Sequence, residues 1–140
     1  MSAFKNATEF FHACEGLKGW EGCQNYVADG AKFTAQSEPL VEIESVEGYT
    51  EWMAGLGLQV MPGCRYELHA SSYDETTRTA LFFGTFIGTH TGEGGPVDPT
   101  NKETNSHYVY ALSMDDNDKV ASMIKIWNAP WAMRELGWAE

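Results

Sequence analysis

Basic residues are few in this sequence, and long hydrophobic runs are missing. It has 9 lysine and arginine residues against 20 acidic residues, which gives a formal net charge of −11. Proteins that bind nucleic acid neutralise phosphates with clustered basic side chains, but here the basic residues are scattered singly. A membrane span needs about 18 consecutive apolar residues, and the residues from Met1 to Phe10 are mixed polar, unlike a signal peptide. We therefore expect neither nucleic acid nor a membrane as a partner.

Cysteine and clustered metal ligands are equally scarce. The cysteines form an odd set without C-x-x-C spacing: Cys14, Cys23 and Cys64. This usage argues against a disulfide framework and is typical of a reducing compartment, so we expect a cytoplasmic protein. His90, Glu93 and Asp98 share one loop but lack the ligand spacing of a metal site. The sequence predicts no metal and no cofactor.

The overall composition is that of a globular protein, with 43% hydrophobic and 13% aromatic residues. A chain of 140 residues has a common length for one domain and can bury a core without disulfides or metal. No internal repeat or linker divides the sequence. We therefore expect a single domain over residues 1–140.

The first half of the chain shows helical periodicity. Apolar residues recur at steps of three and four, which predicts a helix with one buried face: Ala7, Phe10, Phe11, Cys14 and Leu17. A second short apolar stripe precedes an Asp29-Gly30 turn, and residues 31–35 alternate as a strand. Ser45 is a suitable N-cap for a third helix, whose apolar face holds Tyr49, Trp52, Met53 and Leu56.

The second half alternates with a period of two residues. Four segments separated by turns have this pattern, beginning near residues 65, 79, 106 and 120, and Pro130 suits the start of a closing helix. Consecutive strands joined by short turns pair antiparallel. Helices followed by such strands predict an α+β fold with the helices packed on one face of a mostly antiparallel sheet.

This order of elements resembles the nuclear-transport-factor-2-like (NTF2-like) superfamily, and local motifs resemble its SnoaL-like polyketide cyclase branch. The segments that carry the resemblance are residues 20–23, 28–33, 88–93 and 119–128. The resemblance implies a cone-shaped, cystatin-like fold in which a strongly curved sheet wraps around N-terminal helices and leaves a deep pocket. It also implies frequent dimerisation through the outer face of the sheet. The superfamily holds both enzymes and binding modules, so the fold alone assigns no reaction.

Asn128 is the first candidate for chemistry. In the cyclases that the chain resembles, an acid/base aspartate stands near the end of the last strand, and the matching position here holds Asn128. An amide does not exchange a proton near neutral pH, but it can polarise a carbonyl group through a hydrogen bond. The alternative is that Asn128 caps the closing helix.

His90 and Tyr110 are the other two catalytic candidates. His90 shares the strand parity of Phe82 and Phe86 and is the best placed titratable side chain, although a structural role is the alternative. The steroid isomerases of the superfamily use a pocket tyrosine beside carboxylic acids, and Tyr26, Tyr49, Tyr108 or Tyr110 could supply such a phenol; we name Tyr110 as the candidate proton carrier. The predicted inner faces of the strands hold no aspartate or glutamate, so the sequence shows no carboxylate that would abstract a proton.

Aromatic residues exceed what packing a chain of this length needs, with 5 Trp, 6 Tyr and 7 Phe. Ligand pockets are mostly apolar and aromatic, with a few polar groups that fix orientation. We predict a pocket lined by Phe11, Trp20, Tyr26, Phe33, Gln36, Tyr49, Trp52, Met53, Phe86, Tyr108 and Trp127. The alternative for part of this set is an ordinary aromatic core.

Apolar residues also have the parity of the outer sheet face: Leu81, Phe83 and Ile87. Such residues on a face otherwise open to solvent indicate an interface. The sequence therefore predicts a homodimer through the outer face of the sheet.

These patterns favour one function over two alternatives. The favoured function is binding of a small hydrophobic organic molecule in an aromatic-lined pocket. The first alternative is a cofactor-independent SnoaL-like cyclase, isomerase or hydrolase that acts on a carbonyl-containing or polycyclic substrate. The second is a non-catalytic dimeric interaction module with a filled core. The missing carboxylate favours binding over catalysis, and the aromatic excess favours a pocket over a filled core.

Overall fold

The computed structural model of the chain describes residues 2–139 and has the α+β architecture predicted from the sequence. Its regular elements are α1 (Ala3–Glu15), α2 (Gly19–Cys23), β1 (Val27–Ala35), α3 (Val46–Gly55), β2 (Arg65–Asp74), β3 (Thr79–Thr89), β4 (Glu103–Met114), β5 (Val120–Trp127) and α4 (Ala129–Glu135). A single π-helical turn, Leu56–Val60, extends α3. None of the described helices has both the length and the apolar character needed to cross a membrane.

The five strands form one curved, mixed sheet in the order β1-β5-β4-β3-β2. Strands β2 to β5 pair antiparallel as neighbours along the chain, whereas β1 pairs parallel to β5 at the edge. The pairing places Tyr110 of β4 between Phe82 of β3 and Lys125 of β5. Because side chains alternate across a strand, these three side chains lie on the same face of the sheet.

The Asp29-Gly30 turn predicted before the first strand is instead part of that strand. The structure continues β1 through these residues, and the pairing with β5 shifts register between Val27 and Lys32. Gly30 has a φ of 72°, which glycine adopts without steric cost. The prediction was wrong because a bulge and a turn use the same residue types.

Side-chain caps set the starts of the two long helices. The Ser2 hydroxyl accepts a hydrogen bond from the Lys5 amide, and the predicted cap Ser45 accepts one from the Gly48 amide. The helices then pack on the inner face of the sheet through aromatic rings. The Phe11 ring lies 4.9 Å from the rings of Phe82 and Tyr110, stacked on the first and edge-on to the second.

Gly84 in the middle of β3 allows Tyr108 to approach the sheet backbone. A Cβ atom at this position would lie 2.7 Å from the Glu67 carbonyl oxygen and 3.0 Å from the Tyr108 hydroxyl. The Glu67 contact is with the backbone of the neighbouring strand, so a side-chain rotation does not relieve it. Gly84 is therefore required for the packing of Tyr108.

We expect a Gly84→Ala substitution to lower the free energy of unfolding by about 1–3 kcal/mol, the cost of overpacking a filled core. Gly55→Ala is the matched control, because a Cβ atom there meets no atom within 4 Å. The control should leave stability unchanged or raise it by up to about 1 kcal/mol through helix propensity. Urea denaturation measures both values, and equal stability of the two variants would contradict the close approach at Gly84.

Candidate functional site

A cavity of about 660 Å³ opens between α3, α4, the loop after β3 and the inner face of the sheet. Glu38 and Glu51 are its charged lining residues, and most of the others are apolar or glycine. The full lining is Glu38, Pro39, Glu51, Trp52, Gly55, Leu56, Gln59, Val60, Met61, Phe86, Gly94, Gly95, Pro96, Thr104, Trp127, Ala132, Met133, Leu136 and Trp138. Because both charges are negative, the cavity is suited to a neutral or cationic apolar molecule and disfavours an anion.

Several predicted pocket residues meet at this cavity. Trp52, Phe86 and Trp127 line it, and they also line a second void of about 10 Å³ on its inner side. Two more predicted residues, Met53 and Tyr108, line the small void. The two spaces therefore share a wall made largely of aromatic rings.

The remaining predicted pocket residues lie elsewhere. Trp20, on α2, and Tyr26, in the turn after α2, are half-buried and do not line the cavity, and Gln36 is exposed. Three of them are fully buried in the core, with 0–1% of their surface exposed: Phe11, Phe33 and Tyr49. The catalytic candidate Tyr110 is fully buried there as well. The Phe33 and Tyr49 rings stack 4.7 Å apart, as in an ordinary aromatic core.

Asn128 caps the closing helix, which is the structural alternative that the sequence left open. Its side-chain oxygen accepts a hydrogen bond from the Trp131 amide at 3.2 Å. The side chain is exposed and does not line the cavity. Its side-chain oxygen therefore caps the helix terminus.

His90 is fully buried beneath the loop that follows β3. Its Nδ1 atom accepts a hydrogen bond from the Trp138 indole at 2.8 Å and a longer one from the Thr100 amide at 3.4 Å. These contacts leave the ring proton on Nε2, which has no hydrogen-bond partner. A Cβ atom at Gly95 would lie 3.0 Å from Nε2, so the loop packs tightly over the ring. His90 holds the cavity wall together through Trp138.

A buried polar chain that the sequence analysis missed runs through the core and ends at Lys125, which lines the small void. The Lys125 amine donates to the Tyr49 hydroxyl at 2.6 Å, and the Tyr110 hydroxyl donates to the Glu15 carboxylate at 2.5 Å. The two tyrosine hydroxyls lie 3.5 Å apart. A carboxylate on α1 and an amine on β5 are thus connected through two phenols.

Burial changes the proton affinities of this chain. It raises the pKa of the Tyr49 and Tyr110 hydroxyls well above the ordinary value, with the Glu15 charge acting in the same direction. Burial lowers the pKa of the Lys125 amine, although the Glu15 charge opposes this. Desolvation therefore favours the uncharged form at each of these three groups.

The Lys125 amine also sits among aromatic ring faces. Its nitrogen lies 4.9 Å from the Tyr49 ring centre, 5.2 Å from Trp127, 5.3 Å from Tyr108 and 5.9 Å from Trp52. The negative faces of these rings stabilise a cation that has left water. This cage explains how a lysine with 5% exposure remains in the core.

Two sequence signals point to the missed residues. Lys125 alternates with Met123 and Trp127 on the inner face of β5, so strand parity alone places it inside. Glu15 follows Phe11 by four residues on the buried face of α1. Both were passed over because charged residues are rarely buried unless paired, and their connection is visible only in the fold. Among residues 2–139, no three histidine, cysteine or acidic side chains cluster as metal ligands.

Comparison with solved structures shows which fold these elements form. A candidate SnoaL-like polyketide cyclase from Jannaschia sp. CCS1 superimposes with a TM-score of 0.78 at 14% identity, covering 99% of this chain and 93% of that one. AclR, a candidate hydroxylase from Streptomyces galilaeus, gives a TM-score of 0.76 at 20% identity, with 99% and 86% covered. An NTF2-like protein from Burkholderia thailandensis E264 gives 0.74 at 14% identity, with 96% and 97% covered.

The NTF2-like fold expected from the sequence resemblance is confirmed by these similarities, which include a SnoaL-like structure. No family model matches the sequence, and no curated protein matches it. At identities of 14–20% the similarity concerns the fold, and function has to be argued from the site.

The depressed pKa of Lys125 predicts a pH-dependent contribution to stability. Between the lowered folded value and the unfolded value of about 10.4, the unfolded chain binds more protons than the folded one. The free energy of unfolding therefore rises with pH in this window, by at most about 1.4 kcal/mol per pH unit. A Lys125→Met variant lacks this contribution, so its stability relative to the native chain should fall as the pH rises from 7 towards 10.

Urea denaturation of both proteins at several pH values measures this difference. The tyrosine and cysteine side chains with raised pKa values are present in both proteins, so their contributions largely cancel in the difference. A stability difference that stays constant between pH 7 and 10 would show that Lys125 keeps an ordinary pKa.

Proposed function

We propose that this protein binds a small, neutral, largely apolar organic molecule in the cavity between α3, α4 and the sheet. The observation that supports the proposal is the cavity itself, which has a volume of about 660 Å³ and a mostly apolar lining. This volume lies within the range of about 300–1,000 Å³ that is typical of small-molecule sites.

The cavity wall is held in place by hydrogen bonds, which favours a preformed site over a surface irregularity. The Gly92 amide donates to the Val60 carbonyl at 2.9 Å, which ties the loop after β3 to the turn after α3. On the other side, the Trp138 indole is fixed by His90, and the Trp127 indole donates to the Ser106 hydroxyl at 3.1 Å. Preorganised walls reduce the entropy cost of binding.

The neutral fluorophore N-phenyl-1-naphthylamine is a suitable probe, because its uncharged rings match the apolar lining. We expect its fluorescence to rise on mixing with the protein. A Gly55→Trp variant should weaken binding about tenfold or more, a loss of about 1.4 kcal/mol. Gly55 lines the cavity, and the space where its side chain would begin is empty.

Leu58→Trp is the matched control, because Leu58 is 63% exposed and does not line the cavity. It adds the same indole three residues away and should bind the probe like the native chain. If the native protein gives no saturable fluorescence rise, or if both variants bind equally well, the proposed site is wrong.

The outer sheet face supports the further proposal of a homodimer. Exposed apolar side chains on β3 and β5 flank half-buried ones on β4: Ala111 lies between Leu81 and Ile124, and Val109 lies between Phe83 and Ile126. Exposed fractions reach 61% at Ile126. Ile87, which the sequence placed on this face, is only 5% exposed. The patch therefore centres on β3, β4 and β5, and such a patch indicates an interface.

Sedimentation equilibrium at micromolar concentration should give twice the chain mass of 15.5 kDa. A Phe83→Glu, Ile126→Glu double variant should sediment as a monomer, because two copies would bury like charges against each other. Val97→Glu is the control, since Val97 is 45% exposed in the loop after β3. A native protein that sediments only as a monomer would contradict the dimer.

A cofactor-independent reaction at a carbonyl group is the second candidate function. The observation that favours it is the buried chain from Glu15 through Tyr110 and Tyr49 to Lys125, whose amine end lines the small void next to the cavity. Tyr110, predicted as a proton carrier, lies in the middle of this chain.

We also propose that the chain is a single domain, because its strands form one sheet. Its three cysteines are free, which is typical of a reducing compartment, so we propose that it works in the cytoplasm.

A further inference from the structure

Lys125 has fewer polar partners than a buried ammonium group needs. An ammonium group has three donors, and Tyr49 is its hydrogen-bond acceptor in the structure. No carboxylate among residues 2–139 lies within ion-pair distance of Lys125. The salt bridge in this part of the chain joins Arg78 and Asp118. Burying a charge so sparsely bonded costs free energy. A lysine that served packing alone would be replaced at lower cost by an apolar residue.

The position of Lys125 relative to the cavity indicates a functional role for the buried amine. Lys125 lines the void of about 10 Å³, together with Tyr108 and Met53. The other lining residues of this void also line the large cavity: Trp52, Leu56, Phe86 and Trp127. Trp52 and Trp127 are half-buried. Because the Trp127 indole is held by Ser106, a bound molecule that reaches the amine has to displace the Trp52 ring.

The chain from Lys125 to Glu15 can remove a proton from the amine without changing the net charge of the core. All donors can point one way, from the amine through Tyr49 and Tyr110 to the carboxylate. A proton shift along this chain reverses the direction and leaves a neutral amine and a neutral acid. Neutral amines are the nucleophilic form of lysine, and burial is a recognised way to obtain them.

We propose that Lys125 forms an imine with an aldehyde or ketone group of a molecule bound in the cavity. This inference rests on the proposed function, because the carbonyl compound has to occupy the cavity first. Lys125 is then the residue that bonds to the ligand, and Glu15, Tyr110 and Tyr49 are positioning residues that carry its proton.

The reaction balances within the site. The ammonium proton moves to Glu15, the neutral amine attacks the carbonyl carbon, and the carbonyl oxygen becomes the hydroxyl of a carbinolamine. The proton then returns to this hydroxyl, which leaves as water while the C=N bond forms. The sum converts an ammonium group and a carbonyl group into an iminium group and one water molecule. No charge, oxidant or reductant is exchanged with solvent.

The surroundings of the amine favour a carbonyl ligand over an anion. Four ring faces lie within 6 Å of the Lys125 nitrogen, and the negative faces of aromatic rings repel a carboxylate but attract a cation. The cavity rim adds the negative charges of Glu38 and Glu51. A neutral carbonyl enters without this repulsion, and the iminium that it forms takes the place of the ammonium in the cage.

Reductive trapping with 2-naphthaldehyde tests the proposal. The native protein is first mixed with the aldehyde in the presence of N-phenyl-1-naphthylamine, and sodium cyanoborohydride then reduces any imine to a stable amine. Peptide mass mapping should find the adduct on Lys125 at a rate about tenfold or more above that of Lys102 on the exposed surface, because each unit by which a pKa falls gives about ten times more neutral amine.

Three variants separate the covalent reaction at Lys125 from the proton transfer that assists it. Lys125→Arg keeps a positive charge and should lose the adduct, whereas Lys102→Arg should keep it. Tyr110→Phe interrupts the proton chain, so it should slow trapping and shift its rate profile to higher pH while the fluorescent probe still binds. Circular dichroism on each variant confirms that it is folded.

The outcomes distinguish the two proposals. Displacement of the fluorescent probe followed by adduct on Lys125 supports imine formation. Displacement of the probe with labelling at Lys125 no faster than at Lys102 overturns imine formation and leaves the binding site intact. If the probe does not bind to the native protein, the proposed binding site is wrong. If the Lys125→Arg variant is labelled as fast as the native protein, the reaction occurs at other lysines and the proposed role of Lys125 is wrong.

Discussion

The hydrogen bond between Glu15 and Tyr110 is the contact on which the arrangement of the core depends. It joins the last turn of α1 to the middle of the sheet, and both side chains are buried. A buried carboxylate is tolerated only when it is hydrogen-bonded and its charge is balanced. Tyr110 supplies the hydrogen bond, and Lys125 supplies the opposite charge two hydroxyl groups away. The position of α1 and the burial of Lys125 are therefore linked.

The inner face of the sheet is filled at one end and hollow at the other. Beneath α1, the rings of Phe11 and Phe82 stack 4.9 Å apart and are fully buried. Beneath α3 and α4, the π-helical turn and the loop after β3 form the wall of the cavity. The Gly92 amide of the loop donates a hydrogen bond to the Val60 carbonyl of the turn. The polar chain lies at the boundary between these two regions. The Lys125 amine at the end of this chain therefore lies next to a space that can hold a ligand.

The aromatic residues have two distinct roles that composition does not separate. Phe11 and Phe33 pack the core, which was the alternative to a pocket role for part of the aromatic set. Trp52 and Trp127 instead line both the cavity and the small void that holds the Lys125 amine. A ring that lines a pocket and a ring that fills a core follow the same strand or helix periodicity. The difference arises from what lies opposite each ring in the fold.

The order of the elements, the α+β class and the Ser45 cap could be predicted from the sequence, because they follow from local spacing and strand parity. The position of the cavity and the contacts between the buried polar groups depend on how the elements pack. Glu15 and Tyr110 are 95 residues apart, and Tyr49 and Lys125 are 76 residues apart. Periodicity predicts that each side chain points inward, but only the pairing of strands and the docking of helices determine which inward groups meet.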